Sequence, residues 1–320
     1  MTKRIHLDFL VIGAQKAGTT SLHDWLVQHH DLLLPDIKET HFFSHNESFK
    51  KGNAWYISQF VSKAADRLLM GEVDPEYLFS ANAPERIRIF ADVKKFIIIL
   101  RSPLERAYSQ YLMSVRRGFE KLSFDEAIFH EDSRIRDGGA FALDHFSYLS
   151  RSLYYEQIQR YMSVFPNGDF FFVKFEDLFG TSAGDGFYEE LSSFIGSSYD
   201  VKLVDRRAIS NKASTPRFNW IRDLIYRKGE RSIMRRLLAS VFSDRSKLRI
   251  FMLLDKYNQK RITTAKLNKV TNFNLESKKI LKILEDLENV ERITSLSLGD
   301  WKTSLRSDFL GKRGDFTGDS

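Results

Sequence analysis

Between Asp8 and Leu26 the chain reads DFLVIGAQKAGTTSLHDWL, and this stretch limits what the rest can fold into. Phe9-Leu10-Val11-Ile12 is a short, β-branched apolar run of the kind that forms a buried strand. Gly13 ends it, the loop Ala14-Gln15-Lys16-Ala17-Gly18 follows, and Leu22, Trp25 and Leu26 then recur at helical spacing. A strand, a glycine loop and a helix in that order aim backbone N–H groups and the positive end of a helix dipole at one point, which suits a phosphate-like anion. Gly18 lets the backbone approach closely, and Thr19, Thr20 and Ser21 add hydroxyl donors. The nucleoside-triphosphate loop pattern is G-x-x-x-x-G-K-[ST]. Gly13, Gly18 and Thr20 fit it, but Thr19 stands where lysine is required and the loop's lysine is Lys16. That shift argues against a magnesium-nucleotide loop and leaves an anion cradle; the bland alternative is an ordinary strand-to-helix turn.

GAQKAGTTSL resembles the 5′-phosphosulfate loop of sulfotransferases that use 3′-phosphoadenosine 5′-phosphosulfate, in the branch that holds heparan sulfate sulfotransferases and bacterial relatives. Further segments carry the same likeness. Lys38-Glu39-Thr40-His41-Phe42-Phe43 is similar to the segment that supplies that branch's catalytic glutamate. Read by itself it would be an amphipathic loop, since glutamate is usually exposed. Trp55-Tyr56 resembles the family's W-Y segment, although core packing explains these aromatics equally well. Gly71 to Tyr77 stands where the family often reads E-K-S-P-x-Y, but Val73 and Asp74 replace the lysine and the serine.

Phe96 to Leu100 is a second buried strand, and it ends in Arg101-Ser102-Pro103. A P-loop NTPase would end this strand in an aspartate that holds magnesium; an arginine repels magnesium and attracts phosphate. The following R-x-P-x-x-R-A-x-S-x-Y, on a helix begun by Pro103, resembles the family's 3′-phosphate motif. Phe170 to Val173 is a third buried strand, followed by Lys174 and by Glu176-Asp177-Leu178, an acidic pair read as capping the next helix.

The resemblance implies a donor site formed by Lys16, Ala17, Gly18, Thr19, Thr20, Ser21, Arg101 and Ser109, with the last two on the 3′-phosphate. It implies Glu39 as base, His41 as its neighbour or substitute, and Lys16 on the leaving 5′-phosphate. The donor would be 3′-phosphoadenosine 5′-phosphosulfate, the product adenosine 3′,5′-bisphosphate, and no metal would take part.

Strands alternating with helices predict an α/β fold, a P-loop-like doubly wound parallel sheet flanked by helices with a helical basic C-terminal region. Ligands bind such sheets beyond the carboxyl ends of the strands, where Lys16, Arg101 and Lys174 fall. One domain is expected over 1–320: a nucleotide-binding core (1–205), a basic helical region (206–275), a helix returning to the core (276–301) and a loosely ordered tail (302–320). Within the core, 118–147 reads as the short helix Phe124 to Phe129 followed by a mobile loop, and Tyr148 to Phe165 as one helix. At the end, Leu284 to Trp301 resembles the family's C-terminal helix.

With 320 residues, 42% of them apolar and 28% charged, the chain can bury a full core. It has no cysteine, which rules out disulfides and thiolate metal sites. The first seven residues are too short and polar for a signal peptide, and no apolar run reaches the roughly 20 residues of a membrane span; a cytoplasmic location is expected. The formal charge of +7 favours anionic partners. Arg206 to Arg261 concentrates it, with 16 Lys or Arg against four acids, interleaved with apolar residues.

The function expected is sulfuryl transfer to an acceptor hydroxyl or amine on a glycan, lipid or metabolite, with peripheral membrane contact compatible with the basic segment. Nucleic acid is not expected, because no recognition motif accompanies the basicity. Rival readings are a P-loop kinase-like nucleotide phosphotransferase, which needs magnesium and a carboxylate beside Thr20, and a non-catalytic anion or nucleotide binder, which needs Glu39 remote from the cleft. Acceptor identity and oligomeric state stay open.

Overall fold

The computed structural model describes residues 4–60, 68–179, 185–198, 214–226, 253–255, 257–261 and 275–310. Its strands and helices alternate as the apolar runs predict. After β1 (Ile5–His6) come β2 (Phe9–Gly13), α1 (Thr19–Leu26) and β3 (Leu32–Leu33). Two short helices, α2 (Asn46–Phe49) and α3 (Gly52–Ile57), precede β4 (Leu69–Val73). Then follow α4 (Glu76–Phe79), α5 (Ala83–Phe90), β5 (Ala91–Asp92), β6 (Lys95–Leu100) and α6 (Pro103–Arg117).

The chain divides into two compact units. The first comprises Met1–Arg106, Ser150–Ser210 and Ile280–Ser307, and the second Ala107–Leu149, Asn211–Lys279 and Asp308–Ser320.

The first unit is built on a five-stranded sheet in the order β3-β4-β2-β6-β7, where β7 is Asp169–Lys174. Every pairing in it is parallel. Its central strands are buried on both faces: Phe9 to Ile12 are 0% exposed and Phe96 to Leu100 no more than 1%. Burial on both faces is why these strands read as unbroken apolar runs rather than as alternating ones. The helices α9 (Tyr155–Val164), α10 (Phe175–Phe179), α11 (Asp185–Ile195) and most of α13 (Ser277–Thr294) belong to this unit.

The second unit holds α7 (Phe124–Phe129) and α8 (Glu131–Phe146), together with α12 (Asn219–Tyr226) and the antiparallel pair β8 (Ser214–Pro216) and β9 (Gln259–Arg261). Ser123 and Glu126 close a capping box at the start of α7. Buried Glu120 accepts from Arg134 at 2.7 Å and from the Tyr148 hydroxyl at 2.8 Å.

Three expectations change. The mobile loop expected after α7 is helical: α8 runs through Gly138, and only Gly139, at φ 59 and ψ −152, departs from helix. The helix expected from Tyr148 begins at Tyr155, because Asp286 on α13 accepts the N–H groups of Tyr154 at 2.8 Å and Tyr155 at 3.0 Å and so fixes the start there. The C-terminal helix is two: α13 ends before Ser295, whose φ is 59, and α14 (Gly299–Leu310) continues past Trp301 into the expected tail. Of the basic segment, the helix around Trp220 is present as α12. The stretch from Ile233 to Val241 lies outside the described residues.

Candidate active site

The carboxyl ends of β2 and β4 bring two loops together in the first unit. Gly18 caps α1 at φ 93, and a Cβ there would lie 2.9 Å from the Phe179 ring, so only glycine fits. Gly18 provides no side-chain cap and no acidic residue lies in the first turn of α1, a helix end whose dipole suits an anion. The loop before it is held by its carbonyls. Arg106, fully buried, donates to the Gln15 carbonyl at 3.4 Å and to Ser152 at 2.6 Å, and Arg101 donates to the Lys16 carbonyl at 3.3 Å.

Arg101 has other ties as well: to Glu105 at 2.9 Å, and its guanidinium lies 4.4 Å from the centre of the Phe175 ring. Ser109 sits half-buried on α6, in the second unit. Lys174, the third cation expected at the strand ends, is the last residue of β7, and its side chain reaches the C-terminal segment. It donates to the Ser297 carbonyl at 3.1 Å and pairs with Asp300 at 2.9 Å.

Glu39 lies close to the donor loop. Lys38 Nζ donates to Thr20 Oγ1 at 3.1 Å and also pairs with the Glu39 carboxylate, so one lysine joins the α1 N-terminus to the expected base. In a magnesium-dependent P-loop enzyme the equivalent hydroxyl faces a metal. Here it faces an ammonium group, which disfavours a cation at that spot.

Backbone strain marks the same residues. Four non-glycine residues have positive φ among those described: Lys16 at 70, Glu39 at 61, His41 at 51 and Ser295 at 59. Three of the four are the residues expected to do chemistry. Such conformations cost on the order of 1–3 kcal/mol each and persist where the surroundings enforce them.

The enforcement around Glu39 comes from β4 and the turn after it. Glu72, 1% exposed, accepts from Thr40 N at 3.2 Å and Oγ1 at 2.5 Å, from Tyr56 at 2.7 Å and from Tyr77 at 2.9 Å. Burial, and then the charge of Asp74, push the Glu72 carboxyl up to about 7 against the pull of these donors. Asp74, 0% exposed, accepts from His41 N at 2.6 Å and pairs with His41 Nδ1 at 3.1 Å. Burial works against a charged His41 ring. The charge and hydrogen bond of Asp74, with the charges of Glu76 and Glu39, outweigh it and raise the imidazole to about 9. A ring held toward its charged form in this way is suited to orienting a neighbour or steadying charge.

Glu76 completes the row. It accepts from Arg151 at 2.6 Å and from the Gln15 side chain, tying α4 to the donor loop. Sequence reasoning passed over Asp74, Glu72, Glu76, Arg106 and Lys38. Arg106 and Lys38 lie inside the motifs quoted for the family resemblance. Asp74 shows only as a departure from them.

A family model described as the sulfotransferase domain matches residues 6–239. The chain belongs to the sulfotransferase domain family. Among curated proteins it is similar to mouse heparan sulfate glucosamine 3-O-sulfotransferase 3B1, at 29% identity over 191 residues, which is 58% of this chain and 45% of that protein. Human heparan sulfate glucosamine 3-O-sulfotransferase 6 is 28% identical over 185 residues, 55% of this chain and 48% of that protein. The chain thus spans under half the length of these curated relatives. A crystal structure of a sulfotransferase from Alicyclobacillus acidocaldarius superposes with a TM-score of 0.59 at 24% identity, covering 92% of this chain and 98% of that one. This likeness shows the shared fold: a parallel sheet flanked by helices.

Proposed function

We propose that this sulfotransferase family member moves a sulfuryl group from 3′-phosphoadenosine 5′-phosphosulfate to an acceptor hydroxyl, with a glycan as the acceptor class. The observation that carries the reading is the Lys38 link, which brings Glu39 within one side chain of Thr20 in the donor loop. The glycan class is supported by the names of the curated relatives.

In the proposed reaction the acceptor oxygen forms a bond to sulfur as the bond from sulfur to the 5′-phosphate oxygen breaks. The bond pair stays with the leaving bisphosphate, and the acceptor proton passes to Glu39. Sulfuryl transfer, like phosphoryl transfer, has little covalent work for protein to do, so positioning and charge stabilisation supply most of the rate. Lys16 and the N–H groups at the α1 N-terminus would meet the charge that builds on the leaving phosphate. Thr19, Thr20 and Ser21 would add hydroxyl donors, and Arg101 and Ser109 would read the 3′-phosphate, with Arg101 exchanging Glu105 for it. Glu39 must likewise exchange Lys38 for the acceptor proton, which leaves Lys38 facing the transferring group. No metal is assigned a part. Among the described residues no helix is long and apolar enough to cross a membrane; a cytoplasmic location belongs to the same proposal.

The test incubates the protein with 3′-phosphoadenosine 5′-phosphosulfate and heparan sulfate in the presence of a chelator, and reads sulfated product by mass spectrometry. In parallel, adenosine 3′,5′-bisphosphate should raise the melting temperature without magnesium, since a ligand at 100 times its Kd adds about 2.7 kcal/mol, and adenosine 5′-monophosphate should do much less. Equal shifts from the two nucleotides would remove the 3′-phosphate assignment. No bisphosphate binding and no sulfated product would remove the reading altogether.

A further inference from the structure

Glu72 and Asp74 are two residues apart around Val73, at the carboxyl end of β4, and both are buried. Alternation along a strand directs such a pair to one side. They grip consecutive residues of a distant loop: Glu72 takes the N–H and the hydroxyl of Thr40, and Asp74 takes the N–H and the ring of His41. Two buried carboxylates this close repel each other and cost desolvation. Neither is assigned a part in the transfer step proposed above.

We propose that Glu72 and Asp74 form a positioning clamp on the 39–41 turn, which holds Glu39 in its left-handed conformation against the donor loop and keeps the His41 ring beside it. The inference rests on the sulfotransferase reading and deepens it. Thr40 lies between two positive-φ residues, so anchoring its N–H and hydroxyl fixes the turn at its centre. Tyr56 and Tyr77 donate to Glu72 from α3 and α4 and lock the clamp to the aromatic core. The charged groups acting most on the His41 ring are Asp74, Glu76 and Glu39, and the His45 ring stacks 4.7 Å away. Three acids against one ring agree with its raised protonation. The ring is still 31% exposed, open to a bound molecule.

The clamp predicts effects that a purely structural pair would not produce. The experiment compares wild type with Asp74→Asn, Thr40→Val and Thr40→Ser. It follows the His41 ring by NMR titration, bisphosphate affinity by calorimetry, and kcat and KM against pH with heparan sulfate as the acceptor probe. Asp74→Asn should lower the His41 titration by at least one pH unit, reduce kcat about tenfold or more and leave bisphosphate affinity within about twofold. The alkaline limb of kcat should move down with the ring. Thr40→Val, which keeps the shape and deletes the donor to Glu72, should cost kcat, and Thr40→Ser should restore it. An unchanged His41 titration in Asp74→Asn, or variants that melt earlier with wild-type kcat and pH profile, would overturn the clamp. If Asp74→Asn does not fold, the Thr40 pair decides. If wild type neither binds bisphosphate nor sulfates the probe, the sulfotransferase reading fails instead, and the His41 titration still decides whether Asp74 governs the ring.

Discussion

Glu39 pairs with Lys38, which also donates to Thr20. Replacing Glu39 by Gln keeps the size and removes the base. Turnover should then fall by roughly 10²–10⁴-fold while bisphosphate binding stays near wild type; Lys16→Ala should impair both if Lys16 meets the donor as proposed. A Glu39→Gln enzyme of near-normal rate would put the base elsewhere. The sequence showed Lys16, Glu39 and His41 because each sits in a motif whose spacing is local. It could not show Asp74 as the partner of His41, since the two are 33 positions apart and only the packing of β4 against the loop joins them. A buried aspartate beside a proline looks like any turn acid until its partner is known.

At the level of elements, β2 and the run Phe96 to Leu100 of β6 were readable because burial on both faces leaves only apolar side chains there, and the edge strand β7, mostly half-buried, was readable from its run Phe170 to Val173. The fourth strand was not. In β4, Gly71 is required because the Phe9 ring packs over it, where a Cβ would lie 2.3 Å away, and Glu72 is buried beside it. Glycine and glutamate together disguise a strand. In α8, two glycines and several charges imitate a loop, though only Gly139 leaves helical geometry. The start of α9 depends on Asp286, whose carboxyl burial raises to about 6 despite the two N–H groups it accepts. The folded state thus binds a proton that the unfolded chain, at 3.8, has released. By linkage this contribution is most favourable below pH 3.8 and is lost as pH rises through 6. Asp286→Asn should flatten the change in denaturation midpoint between pH 4 and 6. Asp286→Ala, which removes the cap, should cost about 1–2 kcal/mol. Identical pH dependence in wild type and Asp286→Asn would show that other groups set it.

For the whole chain, charge is unevenly distributed. Arg206 to Arg261 holds 16 Lys or Arg against four acids, an excess greater than the +7 of the entire sequence, so the remainder is net negative. Under the proposed function, such a distribution would favour an anionic acceptor. Exposed charge contacts weaken with salt, because the Debye length is about 8 Å at physiological ionic strength. Apparent affinity for heparan sulfate should therefore fall steeply between low and moderate salt, more so than affinity for the bisphosphate. Replacing Arg231, Arg235 and Arg236 together with Gln should flatten that fall and leave nucleotide binding intact. Indifference to both salt and the triple change would point to a small neutral acceptor.

The left-handed backbone at Glu39 has a consequence for how this chain responds to selection. A side chain in that conformation costs about 1–2 kcal/mol that glycine does not incur. The contact given up with Lys38 is partly exposed and worth less. Glu39→Gly is therefore expected to raise the denaturation midpoint while removing the proton acceptor, and urea unfolding of the purified variant measures it directly. Libraries screened for thermal tolerance alone would drift toward inactive survivors at this position, whereas screens that also demand turnover would hold the acid in place. A lower midpoint for Glu39→Gly would mean that the turn is relaxed with glutamate in it, and that tolerance and turnover are not opposed there.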